Sequence, residues 1–562
     1  MKLDAEPRSF DIDPGTGASH LPGMTILKNG VIQLIFQSLN KKQVTMSQII
    51  FIFLSYACIL MLIAYCAKQF TKGNSEFFLA GRKLSGPLTA LGAGASDMSS
   101  WLLMVLPGVV YATGLNNLWM PLALTIGAYA NWKLVAKRLR IYTQGANDSL
   151  TVASYLHNRF VNPSTTDKAL KLAIGFAMLI FFTIYSAAGF IAGAKLLKLT
   201  FNLDYTISLL IIATVIISYT AIGGFFAVSW IDFFQGSLML LALLIVPLVA
   251  LNNIGGINQA YNQILEIAPA HIDMFSNITT LGIISLIGWG FGYFGQPHIN
   301  TRFMAIRSVK ELPVATRICM TWMIVSLLGA VATGMVGVIF YSAQKLEQPE
   351  TVFIALATQL FNPYMTGILL SAILSAIMSN ASAQILMSSS ILAEDFYFGI
   401  IRKKSTTDAS KKEQLFVSRC TLIILSIATL LIALIPNQTL FNSINFAWSG
   451  LGAAFGPVIV LSLYWRKMSQ KAALWGITTG AAVVLIWELL TRLHVGGIFN
   501  NPDILPGFVI LPGILASVMV ILIVGNLHPQ KDPSILKVFD DVQKQVQGEI
   551  VIDKPLELDP VG

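Results

Sequence analysis

The sequence predicts an all-α polytopic membrane protein with about 13 transmembrane helices. Of its 562 residues, 55% are hydrophobic and only 12% are charged, whereas an average soluble domain has roughly 25% charged residues. The apolar residues form long continuous runs near the ~20 residues that a helix needs to cross a bilayer. A transmembrane β-barrel would show short alternating segments instead. The composition therefore excludes a soluble protein and a disordered chain.

The apolar runs define thirteen predicted spans, and the segments that flank them are polar or charged. Residues 1–45 and 527–562 are two tails without room for a catalytic domain, and no signal peptide is evident. The spans are predicted at 47–67, 86–110, 117–136, 169–198, 205–221, 226–251, 277–298, 313–343, 362–398, 414–435, 439–464, 471–491 and 507–526.

The net charge is +9, and the lysines and arginines lie mainly in alternate loops. This is the pattern that sets membrane orientation, so the positive charge does not indicate a nucleic-acid partner. Cation-rich loops face the cytoplasm, so we expect the N-terminus outside and the C-terminus inside. The cations used for this prediction are Lys68, Lys72, Arg82, Lys83, Lys137, Arg138, Arg140, Arg159, Lys168, Arg302, Arg307, Lys310, Arg402, Lys403, Lys404, Lys411, Lys412, Arg466 and Lys467.

The second span contains an acid within a run of small residues. Gly92 and Gly94 precede Asp97 in the middle of the predicted helix. An ionisable residue in hydrocarbon costs several kcal/mol, and glycine loosens a helix, so we expect an interrupted helix and a functional acid. The alternative is that the small residues only allow close helix packing.

The seventh span has four glycines in eight residues, followed by Pro297, and cannot remain a straight helix. Unwound backbone at membrane depth is tolerated where it is buried in protein or lines a cavity, and its free polar groups can bind ions and charged ligands. Trp289 and Tyr293 share a helix face and favour a small, partly apolar zwitterion, although ordinary core packing would use the same pair. The two interruptions lie five spans apart, as in an inverted-repeat transporter.

The ninth span places serines at spacings of four, four and three residues. Their hydroxyl groups and nearby carbonyl oxygens suit a hard cation, but such faces also mediate helix packing or bond back to the helix. Four cysteines and six scattered histidines form no metal-binding pattern, and Asp97 is the isolated mid-span acid. We therefore expect neither an enzyme nor a resident cofactor. The serines are Ser371, Ser375, Ser379 and Ser382.

Six stretches together resemble the sodium:solute symporter family, especially its bacterial members that carry proline. The resemblance extends over roughly residues 50–525. The stretches are GAGASDMSSWLLMVLPG (92–108), FFTIYSAAGFIAGAKL (181–196), IGGFFAVSWIDFFQ (222–235), IGWGFGYFGQPHINTRFMA (287–305), LLSAILSAIMSNASAQIL (369–386) and WSGLGAAFGP (448–457).

The resemblance implies a leucine-transporter-type inverted repeat of five plus five helices that works by alternating access in a bacterial inner membrane. The repeats would be residues 86–251 and 276–464. One extra helix at 46–68 would precede them, and two at 470–526 would follow them. The oligomeric state stays open.

The resemblance also implies an ion site, a solute site and a coupling residue. Sodium would bind the main-chain carbonyls of Ala95, Met98 and Ala376 and the side chain of Ser379, with Asn380 in the next ligand position. Asp97 matches an acid that is important for sodium coupling. L-proline would contact Ser99, Trp101, Tyr185, Trp289, Tyr293 and Pro297, with Gln384 nearby.

Three positions depart from the family pattern. Asn380 stands where a hydroxyl residue is usual, Ser100 where relatives have glycine, and Gly92 where serine is frequent. The longer amide of Asn380 reaches a different point, so ion selectivity is open and proton coupling is an alternative. The choice of solute is open as well, because the same fold could carry pantothenate, another amino acid or a monocarboxylate. A membrane nutrient sensor, which binds a solute without moving it, is the competing function from a different class.

Overall fold

The computed structural model describes residues 46–161, 168–402, 408–435, 440–501, 504–505 and 507–548. These residues form helices and connecting loops, and an isolated parallel β-bridge joins Leu84 to Ile306. Ten of their helices are long and apolar enough to cross a membrane. The predicted all-α membrane class is confirmed, whereas residues 1–45 and 549–562 of the predicted tails lie outside the described residues.

The first half of the described chain contains ten α-helices. They are α1 (Met46–Lys68), α2 (Asn74–Leu79), α3 (Gly86–Ser100), α4 (Leu106–Thr113), α5 (Trp119–Asn131), α6 (Lys137–Gly145), α7 (Val152–Phe160), α8 (Ala169–Phe201), α9 (Tyr205–Ile254) and α10 (Ile257–Ile267).

The second half contains another ten. They are α11 (Thr280–Phe291), α12 (Pro297–Ala305), α13 (Leu312–Phe340), α14 (Val352–Leu360), α15 (Pro363–Ser390), α16 (Asp408–Ala433), α17 (Leu440–Tyr464), α18 (Gln470–Arg492), α19 (Ile510–Leu527) and α20 (Pro533–Gln547).

Two long helical stretches each contain two of the predicted spans. A straight helix as long as the 50 residues of α9 would measure about 75 Å, far more than the ~30 Å hydrocarbon core. The backbone of α9 departs from helical geometry at Gly224 (φ 59°, ψ −153°), between the predicted spans 205–221 and 226–251. The other stretch is Gly86–Gly145, and the seventh span is the shorter helical segment Thr280–Gly295. The count of thirteen stays a prediction.

The ninth predicted span is the centre of the molecule. In the most apolar window of Pro363–Gly399, 94% of the residues are buried, compared with 22% in α1. The corresponding value is 28% in α18 and in α19. The outer helices expose many large hydrophobic side chains, as expected for surfaces that face lipid. The helix with the candidate ion ligands is thus enclosed by the others.

The glycines of the second span serve close packing. A Cβ atom at Gly92 would lie 3.1 Å from the guanidinium group of Arg302, and one at Gly94 would lie 2.8 Å from the indole ring of Trp322. The helix continues through Asp97 and is interrupted at Ser99 (φ 44°, ψ −165°). The interruption therefore lies two residues beyond the acid, and the small residues allow α12 and α13 to approach.

The amphipathic helix α20 packs on the ends of other helices. Its buried face includes Phe539, and Asp540 accepts two hydrogen bonds from Arg466, at 2.7 and 2.9 Å. Gln543 donates to the main-chain oxygen of Leu463 at 3.2 Å. The beginning of the predicted C-terminal tail is thus helical and is held against the end of α17.

Candidate functional site

The interruption in α3 lies at a residue that is not glycine. Ser99 is buried, and its positive φ of 44° is uncommon for a residue with a side chain. Such a conformation costs of order 1–3 kcal/mol and persists where the surrounding structure imposes it. The hydroxyl oxygen of Ser99 accepts a hydrogen bond from the backbone N–H of Trp101 at 3.3 Å. The chain is therefore fixed in an irregular conformation two residues after Asp97.

The seventh span is interrupted between α11 and α12. A 3₁₀ turn occupies Gly292–Gly295, and Gln296 is extended (φ −92°, ψ 103°). Pro297 then takes the first helical position of α12, where its missing N–H is not needed. A Cβ atom at Gly292 would overlap the indole nitrogen of Trp448, so glycine also allows α17 to approach.

A small cavity lies where the two interruptions meet. Its volume is only about 20 Å³, which is room for about one water. Any larger solute must therefore widen it. The lining residues are Asp97, Met98, Ser99, Trp101, Leu124, Tyr185, Trp289, Tyr293, Ile444 and Trp448.

The cavity brings together five of the seven predicted solute-binding residues. Two are absent from its lining: Pro297 begins α12, and Gln384 bonds to other side chains of the core. The five are Ser99, Trp101, Tyr185, Trp289 and Tyr293.

Three aromatic rings form one wall of the cavity. The indole rings of Trp289 and Trp448 are stacked with their centroids 6.2 Å apart, and Tyr293 meets Trp448 edge-on at 5.3 Å. The indole N–H of Trp448 donates to the main-chain oxygen of Trp289 at 3.1 Å. Trp448 is not among the predicted site residues, although it begins one of the six stretches. The wall offers an apolar face with a fixed orientation.

Asp97 connects the cavity to a second, smaller one. Its carboxylate accepts a hydrogen bond from the hydroxyl group of Tyr293, and both residues also line the second cavity together with Asn131 and Cys319. Within the described part of the chain, no lysine or arginine forms an ion pair with Asp97. A carboxylate in a membrane core without a cationic partner is costly and is therefore a candidate to ligate a cation or bind a proton.

The serine face of α15 divides into two parts. The hydroxyl of Ser371 donates to the carbonyl of Gly367 at 2.9 Å, and that of Ser375 to the carbonyl of Ser371 at 2.8 Å. These two bonds return to the helix itself, as in the packing alternative. Ser375 also forms a hydrogen bond with the hydroxyl of Tyr56 on α1 at 2.9 Å, and Ser379 donates to Asp232 on α9 at 2.5 Å, so these two serines contact other helices.

The five predicted sodium ligands lie on two helices that pack together. Ala95 and Met98 belong to α3, and Ala376, Ser379 and Asn380 belong to α15. All five are buried. The three carbonyl oxygens and the hydroxyl oxygen of Ser379 are donor types that fit sodium.

Asn380 bridges these two helices. Its amide nitrogen donates to the carbonyl oxygen of Ser96 at 2.7 Å, and its amide oxygen accepts from the side chain of Gln384 at 2.7 Å. Ser186 on α8 donates to the oxygen of Gln384 at 3.3 Å. Both polar atoms of the Asn380 amide therefore have partners within the protein.

The family profile of the "Sodium:solute symporter family" matches residues 77–480, more than half of the chain. The chain belongs to the sodium:solute symporter family. Sodium/proline symporter 2 of Staphylococcus saprophyticus subsp. saprophyticus is 44% identical over 497 residues, which are 88% of this chain and 95% of that protein. The sodium/proline symporter of Staphylococcus aureus is 43% identical over 476 residues, 84% of this chain and 91% of that protein.

Two solved transporter structures share the fold of this family member. The substrate-bound, outward-open state of a Na⁺-coupled sialic acid symporter has a TM-score of 0.71 and 15% identity, over 86% of this chain and 99% of that chain. The closed, bromovinylhydantoin-bound nucleobase-cation-symport-1 transporter Mhp1 has a TM-score of 0.50 and 12% identity, over 84% and 98%. These similarities confirm the predicted leucine-transporter-type fold.

A buried ion pair in this symporter-family chain escaped sequence analysis. Arg302 donates to the carboxylate of Asp232 and to the hydroxyl of Ser229, and both charged side chains are completely buried. The guanidinium group also lies 4.4 Å from the ring centroid of Phe225. Counting Arg302 among the loop cations was wrong because α12 holds it inside the protein. The detectable signal was Asp232, an acid inside the predicted span 226–251.

Proposed function

We propose that this chain is a symporter that couples sodium entry to the uptake of L-proline by alternating access. Membership of the sodium:solute symporter family supports secondary transport. The two Staphylococcus relatives named as sodium/proline symporters, at 43% and 44% identity, support the choice of solute. The observation that carries the proposal is the aromatic cavity at the meeting of two helix interruptions, with Asp97 in its lining.

Sodium would hold α3 and α15 together. The proposed ligands are the carbonyls of Ala95, Met98 and Ala376 and the hydroxyl oxygen of Ser379. Because Ser379 donates its hydrogen to Asp232, the lone pairs of its oxygen can face a cation. The amide oxygen of Asn380 would become a ligand only after leaving Gln384.

Proline would bind with its two ends in different surroundings. The carboxylate would lie near the irregular backbone at Ser99, beside the N-terminal end of the following helical segment, whose dipole favours an anion. The pyrrolidine ring would pack on Trp289 and Tyr293, with Trp101 and Tyr185 completing the pocket. Pro297 and Gln384 would support this site from outside its lining by shaping α12 and α15.

The driving force is sufficient for solute accumulation. A membrane potential of ~100 mV supplies about 2.3 kcal/mol per charge, and a roughly tenfold sodium gradient supplies about 1.4 kcal/mol. Their sum of about 3.7 kcal/mol supports an accumulation of a few hundredfold for one sodium per zwitterion. The proposed setting is a bacterial inner membrane with the N-terminus outside and the C-terminus in the cytoplasm, and no covalent bond changes.

Uptake of radiolabelled L-proline into proteoliposomes tests this function. We expect an imposed inward sodium gradient to drive accumulation, with lithium and proton gradients as comparisons. Competition by pantothenate, other amino acids and monocarboxylates measures the solute range. Proline uptake that ignores sodium, or stronger competition by another solute, would overturn the assignment. Binding without counterflow would identify a sensor.

A further inference from the structure

The side chain of Asn380 connects the two helices that the proposed ion would connect. Its amide nitrogen lies 2.7 Å from the carbonyl oxygen of Ser96, which belongs to the residue directly after Ala95. All of these groups are buried. A direct hydrogen bond thus joins α15 to α3 beside two proposed sodium ligands, the carbonyls of Ala95 and Met98.

Hydrogen-bond chemistry fixes the orientation of this amide. A carbonyl oxygen only accepts, so the atom of Asn380 that faces Ser96 must be the nitrogen. The oxygen of Asn380 then accepts from the amide nitrogen of Gln384. The oxygen of Gln384 in turn accepts from the hydroxyl of Ser186. Reversing the Asn380 amide would place two acceptors against each other at Ser96 and two donors at Gln384.

We propose that Asn380 is an internal tie that takes over part of the structural role of sodium and thereby weakens the coupling between ion and solute. This inference rests on the proposed sodium-coupled function. The bond between Asn380 and Ser96 needs no ion, so it keeps α3 and α15 together after sodium has left. The solute cavity is built around the next turn of α3, from Asp97 to Trp101. The geometry of the solute cavity is therefore partly preserved in the sodium-free protein.

The tie has a measurable thermodynamic consequence. If ion binding and solute binding both favour the same closed arrangement, each raises the affinity of the other by the same factor. A hydrogen bond that already favours this arrangement reduces that factor, because the competent state is more populated before the ion arrives. The net contribution of one buried hydrogen bond corresponds to about a fivefold change in an equilibrium constant.

The variant Asn380→Thr separates a tie from an ion ligand. Threonine keeps an oxygen but is too short to reach Ser96 in the same way. In sodium-free buffer, we expect the Kd for L-proline to rise about fivefold, with less than a twofold change at saturating sodium. If Asn380 acts only as an ion ligand, the sodium-free Kd will stay unchanged in the variant and only the sodium requirement will change. That result would overturn the proposal.

A second measurement does not depend on the identity of the solute. Cys319 lines the cavity on the other side of Asp97 and is buried. We expect Asn380→Thr to accelerate alkylation of Cys319 about fivefold in sodium-free buffer, in a background where the other three cysteines are serine. Sodium should reverse this increase. Equal rates in the variant and the parent would contradict the tie.

The matched control is Ser371→Ala on the same helix. Among the residues that the structure describes, the hydroxyl of Ser371 bonds only to the carbonyl one turn away at Gly367, so neither proline affinity nor Cys319 alkylation should change. The two assays also separate the two proposals. If the parent protein does not bind proline at any sodium concentration, the proposed solute is wrong, while the alkylation assay still decides the role of Asn380.

Discussion

The hydroxyl group of Tyr293 donates a hydrogen bond to the carboxylate of Asp97, and this contact joins the two interrupted helices. Both residues line both of the small cavities beside them. A movement of Tyr293 relative to Asp97 would therefore lengthen or redirect this bond. In the proposed function, Asp97 would respond both to an ion bound on α3 and to a solute on the aromatic wall.

Replacing Asp97 by asparagine should raise the sodium concentration for half-maximal uptake at least tenfold. The amide can still accept the hydrogen bond from Tyr293, but it lacks the charge that would favour a cation nearby. The measurement is the sodium dependence of proline uptake in proteoliposomes. Asp273→Asn, in a loop between α10 and α11, is the control. An unchanged sodium requirement in Asp97→Asn would remove this residue from coupling.

Removing the ring of Trp289 should weaken proline binding at least tenfold. Tyr293→Phe should change the affinity for proline less than it changes the sodium concentration needed for binding. Trp289→Ala deletes part of the apolar wall, while Tyr293→Phe keeps the ring and loses only the bond to Asp97. Equilibrium binding of labelled proline at several sodium concentrations distinguishes these effects. Thermal unfolding in detergent is measured in parallel. A loss of folded protein that matches the loss of binding would favour a packing role for the wall.

The helices, the aromatic pair and the buried acid beside it could be predicted from the sequence because these features depend on local composition, whereas the role of the acid stays a prediction. A long apolar run predicts a membrane span whatever its neighbours in the fold are. A charged residue within such a run is costly and therefore indicates a functional site. The position of the chain break was not predictable in the same way. Gly92 and Gly94 contact Arg302 and Trp322, which are distant in sequence, so the helix stays intact there and deforms at Ser99.

The ion pair of Asp232 and Arg302 shows a second limit. A count of the cations near the ends of spans does not reveal that Arg302 is buried and paired with Asp232, which is 70 residues away in the sequence. The contacts of Asn380 with Ser96 and Gln384 are likewise set by how α3 and α15 pack. The residue types at the site could be predicted from the sequence, but their hydrogen-bond partners could not.

Removing one partner of the buried ion pair should strongly destabilise the protein. Arg302→Met leaves Asp232 without its cation, and the loss of a buried partner typically costs about 3–5 kcal/mol. The double variant Asp232→Asn with Arg302→Met removes both charges and should recover most of this loss. Thermal unfolding of the purified proteins measures the coupling. Additive losses in the double variant would show that the two side chains stabilise the fold independently.

The contact between α20 and Arg466 should loosen in acid. The hydrogen bonds from Arg466 hold the pKa of Asp540 below its usual value, so the docked helix binds a proton less readily than the free side chain does. The contribution is complete above the free-carboxyl pKa of about 3.9 and is lost as the pH falls through the lowered value. Because the pair is partly exposed, Asp540→Asn should lower the docking free energy of α20 by at most about 1 kcal/mol.

Phe539→Ala should lower this docking free energy more, since Phe539 is buried against the ring of Tyr142 and the guanidinium of Arg159. Hydrogen exchange of the α20 amides, from neutral pH to about pH 3 with both variants, measures the docking. Exchange in α20 that follows the chemical rate of free peptide at every pH would show that the helix is not docked.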